Sequence, residues 1–217
     1  MKSLDNVGPN RLGDALAASL DDDAKLSIIS SYFTVFAFGE LKDELSRVDA
    51  VRFLFSEPTF VKRMASDKDP REFEISQRSR ERGIGGTGLE LTLRNNINQR
   101  ALARECAEWV RSKCEFRSAK MPGVIMPGGT YVVENPNGND HAFNGTAADF
   151  TLEGLGYERR PNSVMCVSHF EGAAEATGLK LMFQQVWDNP AMVADGTDEV
   201  AAQVGTRYRE NPPEFVY

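Results

Sequence analysis

The chain has 217 residues, 41% apolar and 26% charged, a length and balance that suit one soluble globular domain with a real core. Its formal net charge of −7 argues against a surface that coats nucleic acid over its whole extent. No apolar run approaches the roughly 20 residues of a membrane helix, the N-terminus lacks the apolar stretch of a secretory signal, and Cys106, Cys114 and Cys166 lack zinc-site spacing. A cytoplasmic protein without membrane, metal or cofactor is therefore expected, its cysteines serving as small core hydrophobes.

Residues 4–20 read as a helix, with Leu12, Leu16 and Leu20 on one stripe and Asp21-Asp22-Asp23 ending it. Lys25–Phe33 is β-branched and aromatic and predicts a strand. Thr34 is placed to cap a helix running to about Arg47, and Ala50–Phe55, with Val51, Phe53 and Phe55 alternating, predicts a second strand closed by Pro58. Strand, helix, strand over this span is a βαβ unit with parallel pairing. Residues 62–90 are charged and Gly-rich and read as a long excursion. Its run Gly83 to Gly88 is no phosphate-binding loop, because no Gly-Lys-Ser/Thr follows.

A helix is expected from about Asn96 to Lys113, buried through Leu102, Cys106, Trp109 and Val110. Strands are expected at Glu115–Lys120, Gly123–Met126 and Thr130–Glu134, a turn at Pro136-Asn137-Gly138-Asn139, and a further strand at Val164–Ser168. Glu171–Asp188 predicts a helix buried through Leu179, Phe183, Val186 and Trp187, and the polar tail from Asn189 holds one short helix, Asp198–Arg209. These elements make an α/β protein with a mixed sheet between helices.

Charge is unevenly spread. From Lys62 to Lys120 there are 14 Lys+Arg against 9 Asp+Glu, a balance of +5, and the remainder carries −12. A basic middle in an acidic chain suits a polyanion-facing patch, and Arg78, Arg80 and Arg82 are its densest cluster. In an extended strand, residues i and i+2 share a face, so Ser118 and Lys120 are expected to project together. Gly145-Thr146, 25 residues beyond Lys120, could offer backbone N–H groups and a hydroxyl to a phosphate, with the turn opening a helix at Thr146 or Asp149. A plain glycine loop before a capped helix fits the same residues.

The stretch Phe143–Gly156, ending Asp-Phe-Thr-Leu-Glu-Gly-Leu-Gly, resembles the Gly-Ser-x-Asn-Phe-Thr-x-x-Gly-Leu half of the phospholipase D-like phosphodiesterase motif. The resemblance covers about Leu4–Glu57 and Phe116–Asn189. It extends to Leu-Ser-Ile-Ile-Ser-Ser-Tyr-Phe at 26–33 and to Val167-Ser168-His169-Phe170. It implies a phospholipase D-like domain over residues 1–190, with helices on both sheet faces. Residues 191–217, ending Pro-Pro-Glu-Phe-Val-Tyr, then lead into the ATP-dependent motor of a superfamily-two helicase.

Such domains use a His-x-Lys pair: histidine attacks phosphorus, while the lysine and the Gly-Ser-x-Asn turn hold the phosphate oxygens without metal. A single-motif chain completes its site by forming a symmetric homodimer. The resemblance sets Ser118-Ala119-Lys120 at His-x-Lys and Asp149 at the asparagine, with one extra residue in the turn. A serine without a positioned base is a poor nucleophile, and a carboxylate repels phosphate. The implied function is a catalytically silent domain that binds nucleic acid, DNA rather than RNA, or a partner chain, through Ser118, Lys120, Thr146, Asp149, Arg78, Arg80 and Arg82. Two alternatives stand beside it: an active metal-independent nuclease with a substituted site, and a purely structural dimerisation module. Of the two histidines, His141 reads as a loop residue near the turn and His169 as structural, at a strand–helix junction.

Overall fold

The computed structural model describes residues 1–57, 98–123, 125, 129–158 and 165–207. In chain order these form β1 (Lys2–Leu4), a 3-10 turn (Gly8–Asn10), α1 (Leu12–Ser19), β2 (Lys25–Ser30), α2 (Val35–Glu40), α3 (Lys42–Arg47) and β3 (Ala50–Phe55). There follow α4 (Asn98–Lys113), β4 (Cys114–Ala119), β5 (Gly129–Glu134), β6 (His141–Gly145), β7 (Val167–Glu171), α5 (Ala173–Trp187), β8 (Val193–Asp195) and α6 (Thr197–Arg207).

The eight strands make one mixed sheet in the order β1-β7-β6-β5-β2-β3-β4-β8. The βαβ expectation holds: β2 and β3 pair in parallel, Leu26 opposite Val51 and Ile28 opposite Phe53. β4 continues the parallel block, whereas β5, β6 and β7 form antiparallel steps on the other side of β2.

Strand alternation divides the core. Leu26, Ile28, Phe53, Phe55, Phe116, Tyr131, Val133 and Phe143 pack with α1, α2, α3, α4 and α6. The intervening positions Ile29, Leu54 and Ala119 pack on Phe183 and Trp187 of α5, and Val132 and Ala142 pack on Ala176 of the same helix. Helices therefore cover both faces. Arg52 ties α5 to the sheet: its guanidinium donates to Gln184 Oε1 at 2.7 Å and Ser27 Oγ at 3.1 Å, pairs with Glu134 at 3.1 Å, and lies 5.0 Å from the Phe183 ring. No helix among the described residues is long and apolar enough to cross a membrane.

Several expectations are corrected. The single helix over 4–20 is a short edge strand, a 3-10 turn and then α1. Asn6, at φ 60°, accepts from the Leu12 N–H at 2.7 Å and donates to the Gly154 carbonyl at 2.9 Å, so it starts α1 and anchors it to a distant turn. The helix over 34–47 is capped by Thr34 as expected, but it breaks at the fully buried Leu41. At Gly123 the chain makes a turn; Val124 and Met126 lie outside the described residues. β6 and β8 were not anticipated. Of the residues read as the approach to a following domain, 193–207 extend this one: β8 pairs with β4, and Val200 and Val204 of α6 are fully buried in the larger core, while 208–217 lie outside the described residues.

Candidate functional site

β2, β3, β4 and β6 all run in one direction, so Ser30-Ser31, Ser56-Glu57, Ser118-Lys120 and Gly145-Thr146 gather at the same end of the sheet. Crevices outside the carboxyl ends of strands are the usual ligand sites of open α/β sheets. Across that end, however, β4 and β6 are separated by β3, β2 and β5. Four inter-strand steps of about 4.8 Å put Ser118 on the order of 19 Å from Gly145 at the end of β6. The turn runs back over β5 to the end of β2 at Asp149, but Gly145-Thr146, the part expected to hold the phosphate, is not brought beside the Ser118-Lys120 pair.

Ser118 is fully buried, and its hydroxyl donates to the Glu57 carbonyl at 3.1 Å. Lys120 stands exposed just beyond β4, its ammonium held by the Pro190 carbonyl in the loop between α5 and β8. The pair therefore points to different surroundings: the hydroxyl pins the end of β3, and the ammonium pins the loop before β8.

The turn is built by the residues of its own motif. Asp149 is not aimed at a ligand: its Oδ1 accepts from the Ser31 N–H at 2.7 Å and the Ser30 hydroxyl at 2.9 Å, closing the end of β2 over the turn. Phe150 is fully buried, forms a parallel bridge with Phe33, and stacks on that ring at 5.5 Å within the aromatic cluster of Phe53 and Phe116. Thr151 Oγ1 accepts from the Gly154 N–H at 3.0 Å. A Cβ at Gly154 would overlap the Asp149 carbonyl, so only glycine closes this knot. No helix opens here; the chain turns, with Ala147 at φ 60° and Thr146 exposed. The Asp-Phe-Thr-x-x-Gly pattern thus has a complete structural explanation: it folds the turn.

The strand beside the turn is β5. Gly129 is paired with Gly145, and Tyr131 with Phe143. If a nucleophile and a cation spaced i, i+2 were to share a phosphate with the turn, they would stand at 129 and 131. Gly129 can carry no side chain, because a Cβ there would overlap the Ala148 carbonyl. Tyr131 is fully buried and donates its hydroxyl to that same carbonyl at 2.7 Å. Burial, with the Asp149 charge adding to it, pushes the Tyr131 phenol well above its usual pKa, so it remains a neutral donor. Turn backbone fills the slot in which the chemistry would take place. Sequence reading missed both residues, and the available signal was the Gly-x-Tyr that opens the strand before the Asn-rich turn.

Neither histidine reaches this end. His141 opens β6 and His169 lies in mid-β7, and each is the other's partner, with His141 Nδ1 and His169 Nε2 3.2 Å apart. His141 is thus a strand residue, not a loop residue near the turn. Arg78, Arg80 and Arg82 lie outside the described residues, among which no group of three or more His, Cys, Asp or Glu could hold a metal. A cavity of about 530 Å³ opens at the opposite end of the sheet, where Lys25, Arg52 and Arg111 alternate with Asp49, Glu115 and Glu134. Its mixed charge selects no ligand class. No family model matches the chain, and no curated protein is similar to it.

Proposed function

We propose that this chain is a phospholipase D-like domain that has lost its chemistry and binds nucleic acid, DNA in preference to RNA, as a unit preceding a helicase motor in a cytoplasmic protein. One observation carries the silent part of this reading: the turn backbone at Ala148 occupies the space over Gly129, and Tyr131 locks it there. With His141 at the far end of β6 and His169 midway along β7, neither histidine stands at the turn as nucleophile or general acid. Supporting the binding part are the charge balance of +5 over residues 62–120 and the exposed Lys120 and Thr146. On this reading the phosphate contacts come from the Arg78, Arg80 and Arg82 cluster together with Lys120, and not from Ser118 or Asp149, whose polar atoms hold the fold.

Such contacts release counterions, so log affinity for duplex DNA should fall with log salt by about 0.9 per phosphate neutralised. Fluorescence anisotropy over a salt series is expected to give a steep slope. The triple change of Arg78, Arg80 and Arg82 to Gln should make it shallower by about 2 to 3. Equal affinity at low and high salt would remove nucleic-acid binding. One observation favours the dimerisation alternative: Leu181 and Met182 of α5 are 64% and 37% exposed. A monomer at micromolar concentration by light scattering would remove that second reading.

A further inference from the structure

At the edge of the sheet, away from the proposed binding end, two imidazoles share one hydrogen bond. His141 and His169 occupy diagonal positions on β6 and β7, since His141 is paired with Glu171 and His169 with Phe143. His169 is 7% exposed and stacks on the Phe143 ring at 4.2 Å. Its Nδ1 faces Glu171 Oε1 at 3.8 Å, and its Nε2 and His141 Nδ1 share one proton across 3.2 Å. On the other side, β7 holds β1, a strand of three residues, with Lys2 paired directly opposite His169.

We propose that the His141–His169 bond is a pH-sensitive clasp on this edge: the pair tolerates one added proton, and a second opens the bond and frees β1 from β7. One added proton leaves an N–H···N bond between the rings, whichever ring carries it. With both rings protonated, two N–H donors face each other on two cations. The surrounding charges cannot absorb this. Lys2 of β1 lies 2.5 Å from Glu171, and the amino group of Met1, just before that strand, lies 3.1 Å from Glu175 of α5. Asp140, next to His141, faces Lys180 of α5 at 3.9 Å. Among the described residues Glu171 is the carboxylate that acts on His169, and it is already held by Lys2, whose hydrogen bond lowers its pKa.

Burial, opposed by Glu171 and reinforced by His141 and Lys2, depresses the basicity of His169 below the usual histidine value. A folded pKa below the unfolded one means that the contribution is complete above about 6.5 and is lost as pH falls through the lower folded value. The strand that gives way is β1, an edge strand held on β7 by three paired positions and lying opposite His169.

The test is amide exchange of the whole chain, corrected for intrinsic rates, at pH 7.5 and 5.0. Imidazole shifts are followed by NMR in parallel. Protection in β1 should fall about tenfold or more while that of β2 and β3 holds. In His141→Gln, whose amide can donate or accept and does not titrate, the fall should shrink below about threefold. Protection of β1 that is unchanged at pH 5.0, or an equal fall in His141→Gln, would each overturn the clasp.

Discussion

Alanine at Gly129 will cost this protein about 3 kcal/mol or more, and histidine there will force the 146–149 turn off the sheet. The Cβ would overlap the Ala148 carbonyl and lie 2.8 Å from the Ala148 Cβ. Backbone of a turn held by Tyr131, Asp149 and Phe150 cannot yield as a flexible side chain would. The measurement is a urea denaturation midpoint at constant slope. Gly138→Ala is the control: that glycine sits at φ 77° with nothing within 4 Å of a built Cβ, so backbone strain of about 1 kcal/mol is all that is expected. Equal losses at both positions would mean that the space over Gly129 is open, and with it a place for a nucleophile.

Phe150→Ala is expected to cost about 3 to 5 kcal/mol, the range for truncating a fully buried aromatic. The ring lies 5.5 Å from Phe33 and 6.1 Å from Phe53, centroid to centroid; the Phe150 backbone N–H, which alanine keeps, donates to Ser30 Oγ at 2.9 Å, so removing the ring loosens a turn still tied to the end of β2. Asp149→Asn keeps the shape and one acceptor and should cost less, about 1 to 2 kcal/mol, because the accepted bonds lose their charge assistance. Calorimetric melting of both variants checks the ranking. If Asp149→Asn is the more damaging, the turn is held by the carboxylate and not by the aromatic core.

The parallel block was legible in the sequence because its strands are long and regular. Val51, Phe53 and Phe55 place β3 at Ala50–Phe55, the span the alternation predicts, and the stripe of Cys106, Trp109 and Val110 locates α4. The short elements were not. β8 has three residues and β6 begins directly after an Asn-rich turn, so neither shows a period long enough to count. β1 was absorbed into a helical pattern because Leu12, Leu16 and Leu20 dominate the window.

The roles of Ser118 and Asp149 were illegible for a different reason. Spacing along the chain says nothing about which strands lie between two elements. Ser118 and Thr146 are close in sequence, yet β3, β2 and β5 separate their strands. Spacing did bring the Asp-Phe-Thr-x-x-Gly turn into view, but the polar residues that might have served a phosphate are spent on Ser30, Ser31 and Gly154. A serine or aspartate in a family-like position is as able to satisfy buried backbone as to meet a ligand, and only its partners distinguish the two.

The most direct test of a silent, DNA-binding domain is a native gel of the purified protein titrated against labelled single- and double-stranded DNA in EDTA. The account predicts shifted bands with DNA of unchanged length. Shortened DNA would contradict the closed site at Gly129 and Tyr131, and the absence of any shift would contradict nucleic-acid binding.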